Sequence, residues 1–171
     1  MTAKSTATVH VPSAPELVHR ALWDREYWEY ETARFFSAPG KLISFDSATD
    51  DEVTVTFSES LPNDMLPGPV RRIVSRTLPV QRTVSFRQLP DGTVSGTMKG
   101  RISDLPVTFS AEFTVVAESA GTSTELHVAT TIDVKIPMAG ALVEPKSVDL
   151  VRQMVETEGK LLKSWLTDTT C

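Results

Sequence analysis

Cysteine is all but missing from this chain: the single one, Cys171, is the last of 171 residues. No intramolecular disulfide can form, which fits a reducing compartment. Long apolar runs are missing too. No stretch approaches the ~20 residues of a membrane-spanning helix, and Met1 to His10 lacks the apolar centre of a signal peptide. A cytoplasmic protein with no integral membrane association is therefore expected. Histidine is scarce, with only His10, His19 and His127. They form no His-x-x-x-His pair, and no cysteine cluster accompanies them, so no metal site is expected. There is no G-x-S-x-G elbow for a serine nucleophile and no glycine-rich loop opening a helix to cradle phosphate. The sequence thus names no catalytic residues and no cofactor. Positive charge is in deficit, 17 Lys and Arg against 22 Asp and Glu, a net −5. Phosphate backbones want a basic face, so nucleic acid is not an expected partner.

What the chain does have is alternation. From Leu126 to Ile136, the residues Leu126, Val128, Ile132, Val134 and Ile136 share one parity. Glu125, His127, Thr131, Asp133 and Lys135 share the other. A period of two makes a strand with one face in a core and one in water. On that parity His10 and His127 face solvent. Val107, Phe109, Ala111, Phe113 and Val115 alternate in the same way. Earlier strands are read at Thr6 to Val11, Lys41 to Asp46, Val53 to Glu59, Arg82 to Leu89 and Thr93 to Ser103. Pro90-Asp91-Gly92 and Ala120-Gly121 supply tight turns, so successive strands form an antiparallel meander.

Helices interrupt the strands in three places. Ser13-Ala14-Pro15-Glu16 has the pattern of a capping box, with Ser13 as the cap. Leu17, Val18, Ala21 and Leu22 follow at helical spacing. Asp24 caps a second short helix carrying Tyr27, Trp28 and Tyr30. Leu61 to Pro79 is broken by prolines and holds a short helix around Val70, Ile73 and Val74. This insertion is expected to gate a cavity. After the corner Ile136-Pro137-Met138-Ala139-Gly140, one long helix runs to about Leu166 on a stripe of Val148, Val151, Val155, Leu162 and Leu166. Gly159 interrupts that stripe, which marks either a close backbone approach or room for a ligand.

The expected fold class is α+β: one domain over residues 1–171, with a curved antiparallel sheet of six or seven strands wrapped around the terminal helix. Val55, Phe57, Val84, Phe86, Met98, Phe109, Phe113, Val128, Ile132, Val151, Val155 and Leu162 should point inward, some lining a ligand space with Gly159. Glu59 and Arg82 share parity with the inward rows of neighbouring strands. They either meet as a buried pair that fixes a ligand's polar end or, the more ordinary outcome, lie at strand ends and reach water.

Asp24-x-x-Tyr27-Trp28, Leu66-Pro67, Asp91-Gly92, Val134-Lys135-Ile136-Pro137-Met138-Ala139-Gly140, Glu144 and Trp165-Leu166 occur in an order that resembles the START-like helix-grip (SRPBCC) superfamily. Within it, the chain resembles the actinobacterial family DUF2505. Phe86 stands where that pattern suggests Trp, and Ala141 where it suggests a second Gly. The resemblance implies a cavity for a hydrophobic small molecule or lipid, and no agreed catalytic residues. Three function classes stay open: a binding or carrier protein, a cyclase- or hydrolase-like enzyme using the same cavity, and a protein-interaction module.

Overall fold

The computed structural model describes residues 2–66, 68–74, 77–135 and 140–169, with backbone alone at 69, 70, 73 and 140–147. The seven strands are β1 (Thr2–Val11), β2 (Lys41–Thr49), β3 (Glu52–Leu61), β4 (Leu78–Gln88), β5 (Val94–Ile102), β6 (Val107–Ala117) and β7 (Thr124–Val134). They form one antiparallel sheet in the order β1-β7-β6-β5-β4-β3-β2. Thus β2 to β7 is a continuous meander, and β1 adds to its far edge, with Thr2 opposite Asp133 and Val11 opposite Thr124. Helices α1 (Pro15–Leu22) and α2 (Arg25–Arg34) carry the chain from one edge of the sheet to the other. Short α3 (Gly68–Ile73) lies between β3 and β4, and α4 (Gly140–Thr169) closes the chain. The expected α+β helix-grip fold is the one observed.

The alternation in sequence becomes alternation in burial. Along β3, Val53, Val55, Phe57, Glu59 and Leu61 are all buried, and along β4 the buried set is Leu78, Val80, Arg82, Val84 and Phe86. The corresponding faces of β6 and β7 join them, and α4 closes the core with Val151, Val155, Leu162 and Leu166. His10 and His127 are exposed on the other face.

Glycines let aromatic rings cross the concave face. A Cβ on Gly96 would come within 2.4 Å of the Phe86 ring, and one on Gly100 within 2.2 Å of the Phe109 ring. Gly96 is the register partner of both Phe86 and Phe113, and Gly100 of both Arg82 and Phe109. Side chains from β4 and β6 therefore lie over β5 at the positions where β5 has none. Gly159 plays a related part in α4: a Cβ there would lie 2.6 Å from Val9 Cγ1, so this glycine marks a close approach of helix and strand. The outer strand β2 is irregular. Its pairing with β3 slips between Leu42 and Ser44 and again between Asp46 and Thr49, leaving Ile43 exposed.

Several local expectations need correction. The cap of α1 is Ala14, with no side-chain hydrogen bond. Pro15 takes the first helical position, which its fixed φ favours, and this holds Ala14 extended at φ −60°, ψ 148°. Ser13 instead offers its carbonyl to the Thr124 hydroxyl at 2.7 Å. Asp24 does cap α2, accepting from Glu26 N at 2.8 Å. His19 is half-buried on α1: it stacks on Trp23 at 4.0 Å, and among the described residues its buried Nε2 has no hydrogen-bond partner. Burial lowers its pKa, against a smaller opposing effect of Asp51. Most of the corner from Ile136 to Gly140 lies outside the described residues, as do the side chains of Val70 and Ile73.

Candidate functional site

The centre of the molecule is a charged residue. Arg82, midway along β4, is fully buried. A buried guanidinium must find acceptors for its N–H groups or lose several kcal/mol of hydration uncompensated. Here the acceptors come from three other elements. Glu59 of β3 takes a bidentate pair, Nε to Oε2 at 2.9 Å and Nη2 to Oε1 at 3.0 Å. Glu31 of α2 accepts from Nη2 at 3.3 Å, and Glu158 of α4 from Nη1 at 2.5 Å. Met98 Sδ of β5 lies 3.9 Å from Nη1. The guanidinium carbon also sits 4.3 Å from the Phe35 ring centroid and 4.4 Å from that of Phe57, within range of cation–π attraction.

Sequence parity brings Glu59 and Arg82 to one face, and the structure buries both rather than letting them reach water. Phe57 is the register partner of Arg82, so Glu59 is a diagonal neighbour, near enough for a long side chain. Glu31 and Glu158 were not anticipated. Their signal is positional. Val151, Val155, Glu158 and Leu162 follow the four-three-four spacing of a buried helical stripe, with Glu158 in an apolar slot. Tyr27, Trp28, Glu31 and Thr32, all buried, likewise share the inner face of α2.

One guanidinium faces three carboxylates. Burial pushes the Glu31 carboxyl up to about 8, outweighing the opposing pull of Arg82, with Glu158 and Glu59 raising it further. Glu59 is raised as well, first by burial and against the pull of Arg82. Burial disfavours the Arg82 cation, yet the three carboxylates together more than offset this and keep it charged. Glu31 is thus mainly protonated near neutrality.

Beside this cluster are two partly enclosed spaces. The larger, about 90 Å³, has Arg82, Thr130 and Glu158 as its polar members. Its apolar walls include Phe36, Leu61, Leu66, Met98, Leu105, Phe109, Phe113, Val128, Ile132, Val151, Met154 and Val155. The smaller, about 40 Å³, is bordered by Tyr27, Trp28, Glu31, Val84, Phe86, Glu158, Gly159 and Leu162, among others. Glu158, Phe113, Val128 and Val155 belong to both. Of the sequence candidates, Val55, Phe57 and Glu59 border neither space. Val55 and Phe57 are fully buried core, and Glu59 is spent on Arg82. The aromatic group of α2 also packs as core: Trp28 stacks near Phe57 and Phe86, and Tyr30 lies against Trp165.

Elsewhere, His10, Glu118 and Glu125 lie near enough together to share a metal ion. They stand at the solvent side of β1, β7 and the turn after β6, already hydrogen-bonded or ion-paired, with His10 Nδ1 2.9 Å from Glu118 and 3.4 Å from Glu125. Among the described residues no helix is long and apolar enough to cross a membrane.

Comparison with known proteins agrees with this architecture. Uncharacterised proteins of Mycobacterium bovis and Mycobacterium tuberculosis are 28% identical over 162 residues, covering 90% of this chain and 90% of each relative. Among solved structures, a Thermus thermophilus protein superposes with a TM-score of 0.66 at 14% identity, covering 98% of this chain and 99% of its own. A START superfamily protein from Mycobacterium smegmatis gives 0.58 at 14% identity, with 97% and 98% covered. The Zhui aromatase/cyclase of a Streptomyces species gives 0.63 at 9% identity, with 100% and 97% covered. At such identities these structures establish a shared START-like fold. Residues 6–166 match the family described as protein of unknown function DUF2505, and the chain belongs to that family.

Proposed function

We propose that this protein binds a hydrophobic small molecule or lipid between the concave face of its sheet and α4. The observation that carries this is the larger space, walled by apolar side chains with Arg82, Thr130 and Glu158 as the polar members of its lining. A well-packed core leaves few voids larger than a water molecule. At about 90 Å³ the space is smaller than the roughly 300–1,000 Å³ of common ligand pockets. The ligand is therefore compact, or the walls part on entry, with the stretch that carries Leu61 and Leu66 as the proposed entrance.

A second reading, an enzyme of the cyclase kind, draws support from one observation. Glu31, protonated near neutrality, borders the smaller space and could serve as an acid. The binding reading is preferred because the lining of the larger space is almost wholly apolar, with Arg82, Thr130 and Glu158 as its polar members.

The test is uptake of a neutral apolar dye such as Nile red. Ala111 is buried on the wall of the larger space, and Ala111→Leu would fill part of it at an overpacking cost of about 1–3 kcal/mol. Dye binding by the wild type and its loss in a folded Ala111→Leu protein are expected. Equal uptake by both would refute the proposal. Extraction of the protein from its own host, followed by native mass spectrometry, would identify the bound molecule directly.

A further inference from the structure

We infer that the polar end of the bound molecule is a hydrogen-bond donor, best a protonated amine, received by the free oxygen of Glu158, and that a carboxylate end is rejected. This rests on the binding reading above and adds the head-group chemistry to it.

The argument begins with donors. Arginine has five N–H groups. Glu59 takes two, Glu31 and Glu158 one each, and Met98 Sδ lies beside the fifth. An incoming carboxylate would meet a guanidinium with nothing left to donate. It would also come to rest among three carboxyl groups. The acceptor side is different. Glu158 binds Arg82 through Oε1, and among the described residues nothing donates to its Oε2. Its side chain is 26% exposed, whereas those of Glu31 and Glu59 are each 1% exposed. It also borders both spaces. Glu158 is thus the carboxylate of the cluster that a ligand can reach.

Charge points the same way. One guanidinium stands among three carboxyl groups, and Glu158 is the one of them that borders the larger apolar space. A buried charge is tolerable when paired and hydrogen-bonded. A protonated amine provides both the charge and the donors; an alcohol provides a donor alone. Thr130 supplies a hydroxyl on the same wall, which can accept a second hydrogen bond from an ammonium.

The experiment uses octylamine, octanol and octanoate, which share one tail and differ in the head, each competing with Nile red at pH 7. Octylamine is expected to displace the dye at least about tenfold more tightly than octanoate, with octanol between them. In Glu158→Gln the charge is gone but an acceptor remains. The dye should still bind, and the advantage of octylamine over octanol should fall to within about threefold. Octanoate binding as well as octylamine, or an undiminished amine advantage in folded Glu158→Gln, would overturn the inference while leaving the cavity intact. Failure of the wild type to bind Nile red at all would overturn both the inference and the binding reading beneath it. The ranking of the three heads in the unmodified protein needs no variant to fold.

Discussion

Arg82 links α2, β3, β4 and α4 through one side chain, and most consequences of substitution at the residue scale start there. Removing one partner of a buried ion pair costs far more than the pair's net worth, because the other is left uncompensated. Arg82→Met should destabilise the fold by about 3–5 kcal/mol in a denaturant titration, and combining it with Glu31→Gln and Glu59→Gln should recover a large part of that loss. Glu31 adds a dependence on pH. Its pKa in the fold is about 8, above the ordinary carboxylate value, so the folded state holds a proton that the unfolded state releases. Such a group favours folding at low pH, and its contribution is lost as pH rises toward 8. Glu59, also raised, acts in the same direction, whereas His19, lowered by burial, acts in the opposite one. The difference between wild type and Glu31→Gln isolates the first effect. Relative to the variant, the wild type should lose up to about 1.4 kcal/mol per pH unit between pH 5 and 8. A stability difference that stays constant over that range would mean Glu31 does not titrate there.

At the scale of elements, β5 and α4 accomplish their packing with what they leave out. Gly100→Ala would drive a methyl group into the Phe109 ring. A loss of about 1–3 kcal/mol is expected from this overpacking, with the ring displaced toward the larger space; thermal melts of Gly100→Ala and of Gly100→Ala with Phe109→Leu would separate the two effects. The stretch from Leu61 to Leu66 lines that space through both its terminal residues. If ligand enters there, amide exchange across this stretch should slow when ligand is bound, and equal exchange with ligand demonstrably bound would place the entrance elsewhere. The strands were legible because two-residue periodicity survives any detail of packing, and the terminal helix because its stripe is long. The cluster was legible only by half. Glu59 and Arg82 could be paired from parity on adjacent strands. Glu31 and Glu158 come from helices whose rotation about their axes is set by tertiary packing, and reading them required taking a charge in an apolar slot as a sign of a partner. The cap at Ala14 was missed because Ser13 fits the local pattern, while its carbonyl is claimed by Thr124, 111 residues away in sequence.

For the whole molecule, the N-terminal strand closes the design. Residues Thr2 to Val11 pair with β7 along their full length, and Val9 meets α4 at Gly159. Deleting residues 1–11 would strip a neighbour from β7 and the floor from α4. Loss of a cooperative thermal transition is expected, read by circular dichroism, whereas a protein that still melted sharply would show that β2 to β7 and α4 suffice. The opposite border of the sheet is β2. An outermost strand presents unpaired backbone groups that can recruit a second chain and start aggregation. The slips near Leu42 and Asp46 interrupt the regular ladder that a recruited strand would need. What looks like imperfect pairing on β2 is a guard against polymerisation at one of the two margins, β1 and β2, where this sheet could otherwise keep growing.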